Sequence, residues 1–165
     1  AVIFRMTSVC LPARIACLLH DLREPRAILE DPVVQSLIDF TQPVGLLVVG
    51  VVDFLADEED PWGKVRCLVD AVPSGSYLAV SQDTADHQDP AAVQRVLDVF
   101  ADAPDPLHFR TRSQVERFFE GLEILSPYPG ARPGVTYIGL WGAEDPEQAD
   151  DDQSRWWYAG IARKP

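Results

Sequence analysis

Two acidic residues follow two apolar segments that are typical of buried β-strands. Asp53 comes directly after the run Val44–Val52, and Asp83 comes shortly after Ser76–Ser81, with a helical pattern between the two segments. A strand, a helix and a second strand form a right-handed crossover of parallel strands. Because open sheets of this kind bind ligands at the carboxyl ends of their strands, we expect any chemistry to lie near these two carboxylates.

A second candidate site is a short acidic cluster formed by Asp83, Asp86, His87 and Asp89. Three carboxylates and an imidazole within a few residues have the ligand types that bind a divalent ion. However, the cluster leads into the start of a predicted helix, and no distant segment rich in cysteine or histidine completes a coordination shell. We therefore predict no metal site.

Capping residues and hydrophobic periodicity predict the elements that would position these side chains. Four helices are predicted from a capping residue followed by an apolar stripe, and they begin after Asp31, Asp60, Asp89 and Thr111. The run Val44–Val52 has no polar alternation, which is typical of a central strand covered by helices on both faces. Further strands are predicted at Ile15–Leu19, Leu122–Ser126 and Trp156–Ala162, and Pro127–Asp152 is predicted to be a long irregular loop.

Composition and charge exclude several classes of partner. The net charge of −12 repels a phosphate backbone, so we predict no nucleic-acid partner. No segment is long enough to span a membrane, and the N-terminal stretch lacks the continuous apolar core of a secretory signal. Three cysteines, Cys10, Cys17 and Cys67, lie among apolar neighbours without a CxxC pair. They are predicted to be buried, reduced thiols of a cytoplasmic protein.

Four blocks of sequence carry a resemblance to a known family. In order, they are HDLREPRAILEDPVVQSLIDFTQPVGLLVVGVVDFLADEEDP, SGSYLAVSQDTAD, FRTRSQVERFFEGLEILSP and WWYAGIARKP, within the range from about Arg14 to Pro165. Together they resemble the S-adenosylmethionine-dependent methyltransferases first catalogued in actinomycetes as a domain of unknown function. The resemblance implies an α/β fold, the Rossmann-like class I methyltransferase fold, with sheet order 3-2-1-4-5-7-6 and an antiparallel final strand. On that map the third to seventh strands are Ile15–Leu19, Val44–Val52, Ser76–Ser81, Leu122–Ser126 and Trp156–Ala162.

The resemblance also implies where S-adenosylmethionine would bind. Asp21 and Leu22 match the position after the third strand, where an acidic side chain meets the adenine amino group and the next backbone group meets the ring. Asp53 and Phe54 follow the fourth strand, where this fold packs the sulfonium end of the cofactor and the methyl acceptor. Two alternatives stay open, because Asp21 also suits a turn cap and Asp53 also suits a solvated loop. Trp156–Tyr158 are candidates for an acceptor pocket or for core contacts, and no catalytic base is evident.

One part of the family pattern is absent from the sequence. A class I methyltransferase begins with a strand that ends in a glycine-rich turn, and its second strand ends in an acid that binds the ribose. This chain has no GxGxG-like run, and only Ala1–Ala13 precede the predicted third strand. We therefore expect residues 1–165 to be a single, N-terminally truncated methyltransferase domain that binds S-adenosylmethionine weakly.

The same absence would leave the fourth strand at an edge of the sheet. Unpaired backbone groups along an apolar edge promote pairing with another chain. Three arrangements would cover that edge: Ala1–Leu11 folding back, the third strand moving beside the fourth, or association of two chains as in a homodimer.

Two functions are therefore predicted. The first is an enzyme that transfers a methyl group from S-adenosylmethionine to an unknown, small-molecule acceptor. The alternative is a non-catalytic remnant or interaction module that retains half of a Rossmann-like sheet. The missing glycine turn favours the alternative for this chain, whereas the later blocks favour the enzyme for its lineage.

Overall fold

The computed structural model describes residues 16–165. Helices and strands alternate along this range, with short 3-10 turns between them. The helices are α1 (Pro25–Glu30), α2 (Pro32–Leu37), α3 (Pro61–Asp70), α4 (Pro90–Phe100), α5 (Arg112–Glu116) and α6 (Pro146–Ala149). The strands are β1 (Gly45–Val48), β2 (Tyr77–Asp83), β3 (Glu123–Ile124), β4 (Thr136–Tyr137) and β5 (Trp157–Arg163).

The strands form one mixed sheet in the order β1-β2-β5-β3, with β4 also pairing to β5. β1 and β2 are parallel, and Gly45 lies beside Tyr77. β5 is antiparallel to β2, β3 and β4. This order corresponds to strands 4-5-7-6 of the class I methyltransferase sheet with its reversed final strand, so the expected α/β fold class is confirmed.

The helix starts follow the predicted capping residues. Asp31 accepts hydrogen bonds from the amide groups at the start of α2, and Asp60 and Asp89 do the same for α3 and α4. Thr111 and Gln114 form the predicted capping box at α5. Each cap satisfies amide groups that the helix itself leaves without a partner.

The hydrophobic core lies on one face of the sheet, between β1, β2 and β5 and helices α1 and α3. Its members are apolar side chains at alternate strand positions and on one stripe of each helix, including Ile28, Leu46, Val48, Val65, Val69, Leu78 and Val80. α4 contributes no buried residue, and its predicted stripe is only half-buried. α4 therefore does not pack closely on the sheet.

The other face of the sheet is partly exposed within residues 16–165, although Ser81 and Ala159 on this face are buried. Leu47 and Val49 are 63% and 53% exposed, and Tyr77 and Trp157 are 43% and 40% exposed. The expectation that Val44–Val52 forms a strand covered on both faces is wrong. Only Gly45–Val48 is a strand, and within the described residues the side chains on one of its faces are exposed. Within the described range β1 lies at the edge of the sheet.

Two other segment predictions are also wrong. The described part of Ile15–Leu19 has no regular secondary structure, and Leu19 is 85% exposed. A strand needs a neighbour to pair with its backbone groups, and the described residues provide none for this segment. Pro127–Asp152 is not wholly irregular, because it contains β4, a 3-10 turn and α6. Ala1–Leu11 and Cys10 lie outside the described residues.

The cysteine prediction needs a correction as well. Cys17 is exposed rather than buried, whereas Cys67 is half-buried, and neither forms a disulfide. None of the helices formed by residues 16–165 combines the length and the apolar composition needed to cross a membrane.

Candidate functional site

An open cleft of about 600 Å³ lies beyond the carboxyl end of β1. Its walls come from three segments: the turn before α1, the segment after β1 and the segment after α4. They contribute residues 19–23, residues 50, 51, 54 and 55, and residues 100 and 103–105. A cleft of this size is typical of a small-molecule site, and its position is where open α/β sheets bind ligands.

Three of the four predicted cofactor residues line this cleft, namely Asp21, Leu22 and Phe54. The Asp21 carboxylate is exposed and accepts a hydrogen bond of 2.9 Å from the backbone amide of Arg23, so it also holds the turn. The Leu22 side chain is buried in the core. The ring of Phe54 packs against that of Phe100 with centroids 6.0 Å apart, which places the end of α4 over the cleft.

Arg23 connects the walls of the cleft, and the sequence alone does not reveal this role. Its guanidinium donates to the carboxylates of Glu59 at 2.5 Å and Asp105 at 2.9 Å, and to the carbonyl oxygen of Phe54 at 3.0 Å. It also lies 3.3 Å from the carboxylate of Asp21. The hydrogen bond with Glu59 contributes most to raising the pKa of Arg23. These partners are up to 82 residues away in sequence, so no local pattern predicts them.

Asp53 and Asp83 lie side by side at the carboxyl ends of β1 and β2. Asp53 is buried, and its carboxylate accepts a hydrogen bond of 2.6 Å from the backbone amide of Asp83. Burial raises the pKa of Asp53, and the charge of Arg110 opposes this change. Burial, followed by the negative charge of Asp53, raises the pKa of Asp83 to about 7. With its pKa raised in this way, Asp83 is able to take up or release a proton near neutral pH.

Arg110 is a second residue that sequence reasoning missed. Its side chain is fully buried and donates hydrogen bonds to the carbonyl oxygens of Val52 at 2.8 Å and Leu55 at 2.6 Å. It also donates to the Gln82 side chain at 2.6 Å and pairs with Asp57 at 2.9 Å. Arg110 therefore fixes the segment between β1 and α3, which carries Asp53 and one wall of the cleft. The sequence predicts its neighbour Thr111 as a helix cap, but no sequence pattern indicates a structural role for Arg110.

The acidic cluster of the sequence does not converge on one point. Asp83 pairs with Asp53, whereas Asp86 accepts hydrogen bonds from the Tyr158 hydroxyl at 3.2 Å and the backbone amide of Arg112 at 3.0 Å. The side chain of Asp89, in turn, caps α4. Within the described part of the chain, no group of three or more acidic, histidine or cysteine side chains is arranged to hold a metal ion.

The aromatic residues of β5 and the turn before it have different surroundings. Trp156 packs against Phe109 with ring centroids 6.3 Å apart, and Tyr158 is buried. Trp157 lies beside Asp83 in the strand register and is partly exposed. Of the three, Trp157 is therefore the candidate to face an acceptor next to the carboxyl pair.

Comparison with known proteins shows which family this chain is similar to. A family model described as S-adenosyl methyltransferase matches residues 11–165. A crystal structure of a DUF574 family protein from Streptomyces avermitilis is 38% identical, with a TM-score of 0.76 over 88% of this chain and 53% of that chain. A putative methyltransferase from Thermobifida fusca is 30% identical, with a TM-score of 0.71 over 88% of this chain and 52% of that chain. None of the curated proteins matches.

These matches confirm the resemblance seen in the sequence blocks. This chain spans about half the length of each of the two solved structures. The family match nevertheless covers almost the whole chain, and both structures share its fold. The chain therefore belongs to the S-adenosyl methyltransferase family.

Proposed function

We propose that this chain supplies the adenine-binding and acceptor-facing part of an S-adenosylmethionine-dependent methyltransferase that acts on a small-molecule acceptor. The observation that carries the proposal is that Asp21, Leu22 and Phe54 line one cleft at the carboxyl ends of the strands. Family membership supports the same cofactor.

The chemistry of the cleft suits adenine. The exposed carboxylate of Asp21 would accept a hydrogen bond from the exocyclic amino group, and the backbone of Leu22 would meet the ring edge. Leu19, Val51 and Phe54 give the cleft apolar surface, which suits the faces of a flat ring. The bound cofactor would supply the reactive methyl group, and the protein would supply orientation and exclusion of water.

The carboxyl pair gives the proposed enzyme a candidate for proton transfer. An acceptor that carries a proton on its nucleophilic atom must lose that proton during methylation. Asp83 is the less buried member of the pair, it lies beside Trp157, and its pKa of about 7 suits a general base. Asp53 would hold Asp83 in position by accepting a hydrogen bond from its backbone amide. The negative charge of Asp53 would also raise the pKa of Asp83.

Titration with adenosine, followed by amide chemical shifts of the 165-residue chain, tests the placement of the adenine site. We expect shifts at Leu22 and Phe54 and weak binding. Asp21→Asn should weaken binding by up to ~10-fold, because the neutral amide oxygen is a weaker acceptor than the carboxylate. Asp70→Asn, an exposed change at the end of α3, should leave binding unchanged.

Two outcomes would show that the adenine site is in the wrong place. One is the absence of shifts along the cleft at high adenosine concentration, and the other is an equal affinity for the two variants. Because Asp21 also holds a turn, the amide spectrum of ligand-free Asp21→Asn must match that of the parent chain for the comparison to count.

A second candidate function is an interaction module. The exposed apolar side chains at β1 favour it. Leu47 and Val49 are both more than half exposed, and β1 is an edge strand within the described residues. An apolar edge of this kind pairs readily with another strand. The two functions are compatible, because the edge and the cleft lie at different places on the sheet.

A further inference from the structure

A second cleft, of about 170 Å³, lies on the other side of β5 from β2 and shares no lining residue with the first. Its polar side chains are those of Arg112, Tyr128, Arg132 and Thr136. All four are able to donate hydrogen bonds, and no acidic residue lines the cleft. The surface is therefore positive and rich in donors.

This positive cleft is unusual in a protein with a net charge of −12. Four of the other eight arginines in the described residues form ion pairs, among them Arg110 with Asp57 and Arg163 with Glu123. Arg132 makes no ion pair or hydrogen bond within residues 16–165. Arg112 pairs only with Glu116, one turn along α5, and both of these side chains are about half exposed, so that pair neutralises little of its charge. Two guanidinium groups beside one small cleft repel each other unless an anion lies between them.

The loop that carries Arg132 is constrained by prolines and by hydrogen bonds at its ends. Its sequence, from Pro127 to Gly134, is PYPGARPG, and three prolines restrict its backbone. Backbone hydrogen bonds fix its ends, since the Gly134 amide donates to Leu125 at 3.4 Å and the Pro127 carbonyl accepts from Gly142 at 2.8 Å. A constrained loop loses little freedom when a ligand binds, which favours affinity.

Arg112 is held in place on the opposite wall. Its backbone amide donates to Asp86 at 3.0 Å, and its guanidinium lies against Gly134, where an added Cβ would be 3.3 Å from Nη2. Arg112 and Arg132 therefore line the same cleft from two separate segments, each of which is fixed by backbone hydrogen bonds.

We infer that this cleft binds the anionic group of a small molecule, a carboxylate or a phosphate, between Arg112 and Arg132. Planar guanidinium groups bind both anions through paired hydrogen bonds, and the hydroxyl groups of Tyr128 and Thr136 add neutral donors. The volume accommodates one such group rather than a whole cofactor. This inference does not depend on S-adenosylmethionine binding in the first cleft.

Side-chain chemical shifts of the arginine Nε–H groups test the inference with the whole 165-residue chain. Inorganic phosphate and acetate serve as separate probes at constant ionic strength, with chloride as the reference. We expect saturable shifts at Arg112 and Arg132 with at least one probe. Arg132→Gln should weaken that binding ~10-fold, whereas Arg95→Gln, on the exposed face of α4, should not change it.

The two probes also separate the possible ligand classes. Saturation by phosphate alone assigns the cleft to a phosphate, saturation by acetate alone assigns it to a carboxylate, and saturation by both supports a site for either anion. A response no larger than that of chloride would overturn the inference, as would an unchanged affinity in Arg132→Gln. Because Arg132 is exposed, its replacement should leave the melting temperature unchanged.

Discussion

At the scale of single residues, the Asp53–Asp83 pair makes folding stability depend on pH. The pKa of Asp83 is about 7 in the folded chain and near its ordinary 3.8 in the unfolded chain. The folded state therefore holds a proton that the unfolded state releases. This contribution is fully present below about pH 4 and is lost as the pH rises through about 7.

Replacing Asp83 by Asn should remove this dependence. The amide carries no charge, so Asp83→Asn should raise the free energy of unfolding at about pH 8 by about 1–2 kcal/mol and by less at about pH 5. We expect a value well below the full effect of the pKa change because Asp83 is only partly buried and water screens its charge. Urea unfolding at both pH values measures the difference, with Asp70→Asn as the exposed control. An equal effect of Asp83→Asn at the two pH values would contradict the raised pKa of Asp83.

At the scale of elements, β1 is the strand whose exposure has the clearest consequence. Leu47 is 63% exposed on an open sheet face, and the edge of β1 has no partner among residues 16–165. We expect the chain to self-associate through this edge, and we expect Leu47→Lys to shift it toward monomer because a charge at an edge opposes strand pairing. Sedimentation velocity measures this shift.

The matched control for that experiment is Val99→Lys. Val99 is 78% exposed but lies on α4, so the same change of charge should not alter association. A parent chain that is monomeric at every concentration would contradict pairing of two chains. It would favour coverage of the edge from within the chain, as Ala1–Leu11 would provide.

The packing around β5 leaves no room for a side chain at Gly160. A Cβ added at Gly160 would lie 2.6 Å from the buried ring of Phe119, whereas one added at Gly45 in β1 would lie 3.8 Å from its nearest neighbour. Gly160→Ala should therefore destabilise the chain by about 1–3 kcal/mol through overpacking. Gly45→Ala should change stability by less than about 0.5 kcal/mol. Thermal unfolding compares the two, and similar melting temperatures would disprove this account of the β5–Phe119 contact.

At the scale of the whole molecule, the chain carries one end of the proposed cofactor site. The cleft holds the residues matched to adenine, but no glycine-rich turn for the methionine end occurs in the sequence. We therefore expect this chain to bind S-adenosylmethionine no more tightly than adenosine. Calorimetric titration with both ligands measures the ratio. Micromolar binding of S-adenosylmethionine, far tighter than adenosine, would mean that other residues of this chain hold the methionine end.

Local features were predictable from the sequence because their contacts lie within a few residues. The caps at Asp31 and Asp60 bind amides two or three residues ahead, and the parallel pairing of β1 with β2 follows from two apolar runs separated by a helix. Asp53 and Asp83 were expected at one edge of the sheet, since parallel strands end on the same side. Local patterns thus predicted an α/β arrangement of strands and helices, with the candidate site at the carboxyl ends of the strands.

The contacts that hold the candidate site together are visible only in the tertiary structure. Arg110 reaches acceptors as far as 58 residues away, and Arg23 reaches Asp105 across 82 residues. The pairing of Asp53 with Asp83, the open face of β1 and the cleft between Arg112 and Arg132 likewise depend on segments that are distant in sequence. Periodicity and capping rules describe only neighbours along the chain. Long-range contacts arise from the packing of the sheet, and so they could not be predicted from local patterns.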